Sequence, residues 1–598
     1  MTVARPAVGD DVSSGPGPDP GVAARPPAGS GHPTWAELAA LAVVVAGVSA
    51  FVAWWWWAYR DGMPLFIDEA GYLSFAEAHA RALQDHGLAA FARSIHDQGP
   101  YGPLVPAVSA LGLLVVDTPV AVGAVTMVGS VALFVVATWF LARQLCAPPW
   151  ALLAAAVAGT LPGVLLLAGV YYFAVPAAAL YTLGVACLVR SGGGARLGWM
   201  VAAGASLGLA SLARTMVAGL VPAAGAVVLA AALWPGPARA RRLAGVLLGG
   251  AVGAAVALTW YAGNTGRVLD YLGSDQVATG GGGGGRAWAF PGIRDLRLLL
   301  SDLLLPAAVV LVAAVAVAAV AWLRARRGEP ESRPAPAPAP GPGLAVPAAV
   351  VALGGGILVV AGQAVGQWIP LVPTLVAVVV AGLARAPEGR TRNVVAAGLC
   401  ALVLFHLVEV SRLVPALSTP RDVAAGPLGR LHVTDARWLL EDQVPTTRLD
   451  AGGRLPDSYA GTGAVIDAVV ARAAEQAVAA GEPPVLVMPG GADPLVNINT
   501  LHLADQRRDA VPALVVGALA LDPGVTAPQL AGVLGDPDRG QPNLVLAVRP
   551  ERRYERPLAV YEDVTAALPA AGFAPVLDRE LPDGRAVTLW WRPRSAPG

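Results

Sequence analysis

Two adjacent carboxylates, Asp68 and Glu69, stand in the run Met63-Pro64-Leu65-Phe66-Ile67-Asp68-Glu69-Ala70-Gly71-Tyr72, just after a membrane-length apolar segment that ends in four tryptophans, Trp54 to Trp57. Tryptophan collects at the level of lipid headgroups, so the two acids should sit just outside the hydrocarbon, within reach of a headgroup and of water. A carboxylate held there can take a proton from an attacking hydroxyl. The plain alternative is a solvated cap on an interfacial loop.

Arg214 closes the run Leu207-Gly208-Leu209-Ala210-Ser211-Leu212-Ala213 and interrupts a long apolar stretch. A cation so placed costs a few kcal/mol unless it is paired, which suits either an anion contact in a wet cavity or a snorkelling helix end. The planar fork of arginine matches phosphate, to which it can donate two hydrogen bonds. His96, followed by Asp97-Gln98-Gly99-Pro100-Tyr101-Gly102-Pro103-Leu104, brings a donor, an acid and an aromatic near the same membrane surface; His96 and Tyr101 are candidates for a phosphate or sugar contact. With His79, the acids Asp68 and Glu69 could also hold a metal, but no fixed ligand spacing is present, so no metal ligands are assigned, no cofactor is required and a divalent ion is left open. Gln367-Trp368, ahead of Ile369-Pro370-Leu371-Val372-Pro373, places a polar and aromatic pair at a helix mouth, a candidate substrate contact together with Tyr72. The hexaglycine stretch Gly280 to Gly285 gives a mobile loop, in which Arg286 could reach a substrate if the loop acts as a lid.

The elements that must position these residues are membrane helices. With 55% apolar and 14% charged residues in 598, and a mean hydropathy of +0.59, the chain cannot be one soluble globule. Apolar runs over about 37–57, 119–142, 150–168, 173–189, 198–213, 216–234, 243–262, 298–323, 344–364, 368–384 and 393–413 predict roughly eleven spans. Arg143, Arg190, Arg239, Arg241, Arg242, Arg324, Arg326 and Arg385 cluster in alternate short connections. The positive-inside rule therefore puts the amino terminus in the cytoplasm and the carboxyl terminus outside. Counting 103–116 as a further span would reverse the later loops and place the arginines outside, so this stretch is expected to be a juxtamembrane or re-entrant helix. All 41 basic residues are arginine, matched by 41 acids, and a net charge of zero argues against a nucleic-acid partner. Three cysteines, Cys146, Cys187 and Cys400, all in or beside apolar segments, supply no disulfide framework.

The expected domains are a disordered cytoplasmic tail over 1–34, a transmembrane domain over 35–413 and an extracytoplasmic α/β domain over 414–598. The first outer loop would run from 58 to 118 and a glycine-rich outer loop from 263 to 297. In the last domain, 462–480 and 557–571 read as helices, and 485–488, 543–548 and 587–591 as strands. Pro489-Gly490-Gly491-Ala492-Asp493 reads as a strand-to-helix turn, and the Pro-Ala repeat over 328–343 as an extended linker.

Four of these elements, in order, resemble the GT-C membrane glycosyltransferases, the group of protein O-mannosyltransferases and lipid A aminoarabinose transferases. They are Asp68 to Tyr72, Gly99 to Leu104, Gly208 to Arg214 and Trp368 to Pro373, and the resemblance spans roughly 37–413. The family more often has Lys where Arg214 stands, and commonly Arg-Tyr where this chain has Gln367-Trp368. These departures bear on donor recognition more than on reaction type. The resemblance implies a multi-pass protein of the cell membrane that moves a sugar, hexose or pentose, from a polyprenyl-phosphate donor to a cell-envelope glycan, lipid or protein. A lipid-phosphate leaving group needs one base and one anion stabiliser. Asp68 would be the base, with Glu69 orienting the acceptor, and Arg214 would stabilise the phosphate. The alternatives are a non-catalytic scaffold of the same fold or a transporter of lipid-linked sugars, for which internal repeats would be expected and none is visible.

Overall fold

Prolines set many of the helix starts, where a missing N–H costs nothing and the fixed φ suits the first turn. Pro119 opens α4 (Pro119–Leu145), Pro148 opens α5 (Pro148–Gly159) and Pro162 opens α6 (Pro162–Ala168). The computed structural model describes residues 32–60, 65, 67–116, 118–236, 238–273, 291–326, 342–361, 367–411, 413–418, 421–424, 426, 430–434, 461–489, 496–508, 514–519, 524–535, 542–550 and 555–593. Before α4 come α1 (Trp35–Arg60), α2 (Ile67–Asp97) and the ten-residue α3 (Leu104–Leu113); after α6 come α7 (Ala174–Arg190), α8 (Leu197–Ala213), α9 (Val221–Leu233) and α10 (Arg239–Gly273). Helices Pro291–Arg326, Pro342–Ala361, Val372–Ala384 and Arg390–Ser411 complete this part.

Among the described residues the eleven apolar runs are largely helical, with 150–168 divided between α5 and α6. Among the described residues, six helices are long and apolar enough to cross a membrane, or seven if α5 and α6, bent by 59° at Thr160–Leu161, form one broken span. The remaining apolar helices, such as α7, α8 and Val372–Ala384, are shorter. The run expected over 298–323 lies in a helix that is broken at Leu304, whose φ is 59°. The stretch after α1 is less of a loop than the sequence implied: α2 fills most of it, with one non-helical residue, Gly87, and the expected re-entrant segment is α3.

Two packing details fix the site. Where α8 crosses α10, a methyl group on Gly204 would collide with the backbone oxygen of Gly249, so glycine lets the two backbones touch. Of the tryptophans, Trp57 is exposed, but Trp55 and Trp56 are buried, which corrects the picture of one uniform headgroup belt. The Trp56 indole N–H donates to the Ala168 carbonyl at 2.8 Å, and Gly169 lies against the Trp55 ring. Indole is thus used to pin the turn between α6 and α7.

The carboxyl-terminal region folds as α/β. A hairpin of β1 (Arg421–Ala424) and β2 (Arg430–Thr434), not anticipated from the sequence, precedes it. A five-stranded sheet follows, of β3 (Val485–Pro489), β4 (Val515–Leu519), β5 (Leu544–Val548), β6 (Ala574–Glu580) and β7 (Ala586–Trp591), in the order β4-β3-β5-β7-β6. Strand β3 runs parallel to β4 and β5, while β7 is antiparallel to β5 and β6. Helices Thr462–Ala480, Ile498–Gln506, Ala527–Gly535 and Glu555–Ala567 cover it; the first packs Val465, Val469 and Ala473 against the β3 residues Leu486 and Met488. Helix Ile498–Gln506 also packs on α2.

Candidate active site

Asp68 and Glu69 occupy the first turn of α2, not an open loop, and their adjacency in a helix sends them to different surroundings. Glu69 is fully buried and accepts the backbone N–H of Tyr171 at 3.0 Å. One of its oxygens therefore holds the turn that Trp55 and Trp56 also pin. Asp68 is only partly buried. Loss of hydration pushes its carboxyl above the usual carboxylate range, and the Arg214 guanidinium pulls it part of the way back. A carboxylate so tuned is a stronger base than one in water.

Arg214 follows the last residue of α8 and is 8% exposed. Its guanidinium donates to the Tyr172 hydroxyl at 3.3 Å and lies over the Tyr172 ring, 5.1 Å from the centroid. Tyr72, one turn along from Asp68 on the same helix, stacks on Phe173 at 3.9 Å and meets the Tyr172 ring at 5.9 Å. Tyr101 meets Tyr72 edge-on at 5.6 Å and Tyr271, near the end of α10, at 5.2 Å. Burial pushes the Tyr72 and Tyr101 hydroxyls up, Asp68 adding to both, so they stay protonated and can donate. The result is one acid and one guanidinium inside an aromatic wall.

The loop carrying Tyr101 is clamped to the end of α8. Thr215 donates its hydroxyl to the Pro100 carbonyl at 2.8 Å, and a methyl group on Gly102 would fall 2.8 Å from the Ala213 carbonyl carbon. Gln98 donates to the carbonyls of Tyr101 and Gly102, and its amide oxygen accepts from His79 Nε2 at 2.8 Å. His79 Nδ1 faces Ser94 Oγ at 2.7 Å. Burial holds the His79 imidazole below its ordinary pKa. His79 is thus a brace for the loop. Among the described residues no group of three or more His, Cys, Asp or Glu side chains is arranged to hold a metal ion.

The remaining candidates fall at different distances from this centre. Gln367 is buried and its amide nitrogen contacts the Met216 sulfur at 2.7 Å, two residues beyond Arg214. Trp368 packs against Gly355. His96 is not drawn into the cluster: its half-exposed ring pairs with Asp97 at 3.3 Å and lies on Gly263 of α10, while its carbonyl accepts from Asn264 at 2.8 Å. Arg286 and the hexaglycine lie outside the described residues. Sequence reasoning missed Tyr172, Phe173 and Tyr271. The signal for the first two was the aromatic run Tyr171-Tyr172-Phe173 between two apolar segments; Tyr271 lies beyond the apolar run of its helix and had none.

This is a polytopic helical membrane protein with a partly buried acid and a buried arginine grouped beside its helix ends. No protein-family model and no curated protein matches the chain. Solved structures share its fold: ArnT from Cupriavidus metallidurans bound to undecaprenyl phosphate aligns over 92% of this chain and 97% of its own, with a TM-score of 0.50 and 15% identity. ArnT from the same organism in the apo state aligns over 93% and 98%, again with a TM-score of 0.50 and 15% identity. The resemblance to the GT-C enzymes, drawn above from four short elements, thus extends to the fold of nearly the whole chain.

Proposed function

We propose that the protein is an inverting glycosyltransferase that moves a sugar from a polyprenyl-phosphate donor to a hydroxyl of a cell-envelope acceptor, on the outer face of the cell membrane. The observation that carries this reading is Asp68 within the electrostatic reach of Arg214, a carboxyl raised by loss of hydration and drawn part of the way back by a buried guanidinium. The likeness to ArnT, which was solved with undecaprenyl phosphate, supports the donor class. The orientation with the α/β domain outside rests on the arginine distribution.

In the proposed step, the acceptor hydroxyl gives its proton to Asp68 while its oxygen attacks the anomeric carbon. The bond from that carbon to the phosphate oxygen breaks, and the polyprenyl phosphate leaves with the electron pair, its new charge met by Arg214. Tyr72 and Tyr101 would donate to sugar or phosphate oxygens, a role supported by their protonated hydroxyls, and the stack of Tyr72 on Phe173 would give a sugar face an apolar wall. Gln367, which contacts the Met216 sulfur two residues beyond Arg214, would contact the substrate. One displacement inverts the anomeric centre, so proton NMR of the product should show the anomer opposite to that of the donor; retention of configuration would refute the mechanism.

A further inference from the structure

Helices α7 and α8 each have one end beside Arg214 and Tyr172 and the other far from them. Helix α7 begins just after Tyr172 and Phe173 and ends at Arg190; α8 begins just after Arg196 and ends just before Arg214. Each has 17 residues, or about 25 Å of rise, so Arg190 and Arg196 lie close to a hydrocarbon thickness away from the proposed site.

The turn between these helices gathers further cations at that far end. Gly192, Gly193 and Gly194 have φ of 65°, 70° and 99°, a left-handed run that glycine takes without strain. Gly194 and Gly245 of α10 touch backbone to backbone, and a methyl group on Gly194 would fall 2.5 Å from the Arg242 carbonyl oxygen. The Arg242 guanidinium donates to the Trp234 carbonyl just past α9. Arg196 donates to the Arg190 carbonyl at 3.4 Å, and the Arg190 guanidinium lies over the Trp199 ring, 5.8 Å from its centroid. Arg239 and Arg241, exposed on the first turn of α10, complete the group.

This group has no carboxylate partner among the described residues. No Asp or Glu occurs between Asp117 and Asp270, and none of the five arginines makes an ion pair among the described residues. Other arginines of the same face are paired. Arg143, on the end of α4 that Gln144 ties to the Ala186 carbonyl of α7 at 3.1 Å, pairs with Glu37 at 2.6 Å. Arg392, over the Trp150 ring, pairs with Glu388 at 3.3 Å. The helix dipoles add to the imbalance: α8 and α10 both start here with no acid in their first turns, and Arg239, Arg241 and Arg242 occupy the start of α10, where positive charge is unfavourable. An anion supplied from outside would relieve both, and guanidinium forks suit phosphate.

The surroundings point to a lipid as the source of that phosphate. Beyond the arginines along α8 and α10, Leu197, Val201, Leu247 and Leu248 expose apolar side chains suited to acyl chains, and the exposed Trp234 marks headgroup depth. We infer that the α7–α8 turn and the start of α10 form a binding site for an anionic phospholipid headgroup, in the leaflet opposite the proposed site of sugar transfer. The inference is independent of the glycosyltransferase reading, since the binding needs neither donor nor turnover.

The test is native mass spectrometry of the full chain in a neutral detergent, with palmitoyl-oleoyl phosphatidylglycerol or phosphatidylcholine added. Phosphatidylglycerol should be retained at about tenfold lower concentration than phosphatidylcholine. The triple variant Arg196→Gln, Arg239→Gln and Arg241→Gln should weaken phosphatidylglycerol at least about tenfold, since each basic residue near an anionic surface contributes on the order of fivefold. The double variant Arg239→Gln and Arg241→Gln, which removes no side-chain hydrogen bond or ion pair among the described residues, should keep the wild-type unfolding temperature and show part of the loss. Arg392→Gln, which removes a guanidinium that Glu388 already neutralises, should bind as the wild type does. Equal retention of the two lipids, phosphatidylglycerol binding untouched in both arginine variants, or an equal loss in Arg392→Gln would overturn the inference. Displacement of phosphatidylglycerol by millimolar inorganic phosphate would overturn the lipid assignment in favour of a free anion.

Discussion

Gly102 has no side chain to contribute to chemistry, yet its replacement should disable the site. A Cβ at this position would lie 2.8 Å from the Ala213 carbonyl carbon and 2.9 Å from its oxygen, and closer still to the Leu212 oxygen, against an ordinary contact of 3.4 Å or more. All three obstacles are backbone at the end of a buried helix, so neither partner can rotate away. Gly102→Ala must therefore separate the loop from α8 by about 0.6 Å or more, and overpacking of this kind costs about 1–3 kcal/mol. The displaced parts are Tyr101 on one side and Arg214 on the other, and misplacing reacting groups by about 1 Å can cost on the order of 100-fold in rate. Thermal unfolding in nanodiscs and turnover of a lipid-phosphate sugar would be measured on the same preparation. A fall of about 100-fold in kcat, with the protein still folded, is expected. Wild-type turnover at wild-type stability would refute the claim that the Gly99 to Leu104 element works by clamping Tyr101 to the Arg214 helix end.

Transfer should rise with pH as Asp68 ionises, with its acid limb above the range of an ordinary carboxylate, because burial raises the Asp68 pKa and Arg214 only partly offsets this. Arg214→Gln removes the offset and should move that limb to still higher pH as well as lowering kcat; an unmoved limb would mean that the base lies elsewhere. His79 is held neutral by burial, so the folded state binds protons less readily than the unfolded chain, whose imidazole titrates near 6.5. Stability from this group is present above pH about 6.5 and declines as pH falls below it, and His79→Gln should flatten that slope in chemical-denaturation or thermal scans.

The transmembrane part was readable because a bilayer demands long apolar runs, and the eleven expected runs are largely helical where they are described, 150–168 being divided between α5 and α6. Breaks within those runs were not, since Thr160 and Leu304 sit in stretches as apolar as their neighbours; Pro162 and Pro306 were the available hints. The segment after α1 was misread as a loop because α2 carries a mixed, Ala-rich pattern with little apolar periodicity, although alanine favours helix whatever its surroundings. At the site, Asp68, Arg214, Tyr72 and Tyr101 were legible as charges and aromatics beside apolar ends. Tyr172 and Tyr271 join them only through contacts distant in sequence, which no local pattern encodes. The different surroundings of the acid pair were equally hidden, because only the fold shows Glu69 holding the Tyr171 amide while Asp68 stays partly buried under the influence of Arg214. In the last domain, two helices and the strands β3, β5 and β7 were visible, whereas the hairpin β1–β2, the strands β4 and β6 and the short helices Ile498–Gln506 and Ala527–Gly535 were not.

Asp68 and Arg214 together should move a sugar off a lipid phosphate. This is tested most directly by incubating the purified protein with radiolabelled polyprenyl-phosphate sugars, mannose and arabinose among them, and cell-envelope acceptors, with Asp68→Asn and Arg214→Ala in parallel. Label should pass to the acceptor with one donor in the wild type, fall by about 100- to 10,000-fold in Asp68→Asn, as loss of a general base predicts, and fall strongly in Arg214→Ala. Transfer that survives both substitutions unchanged would contradict the account, as would its absence with every donor tried.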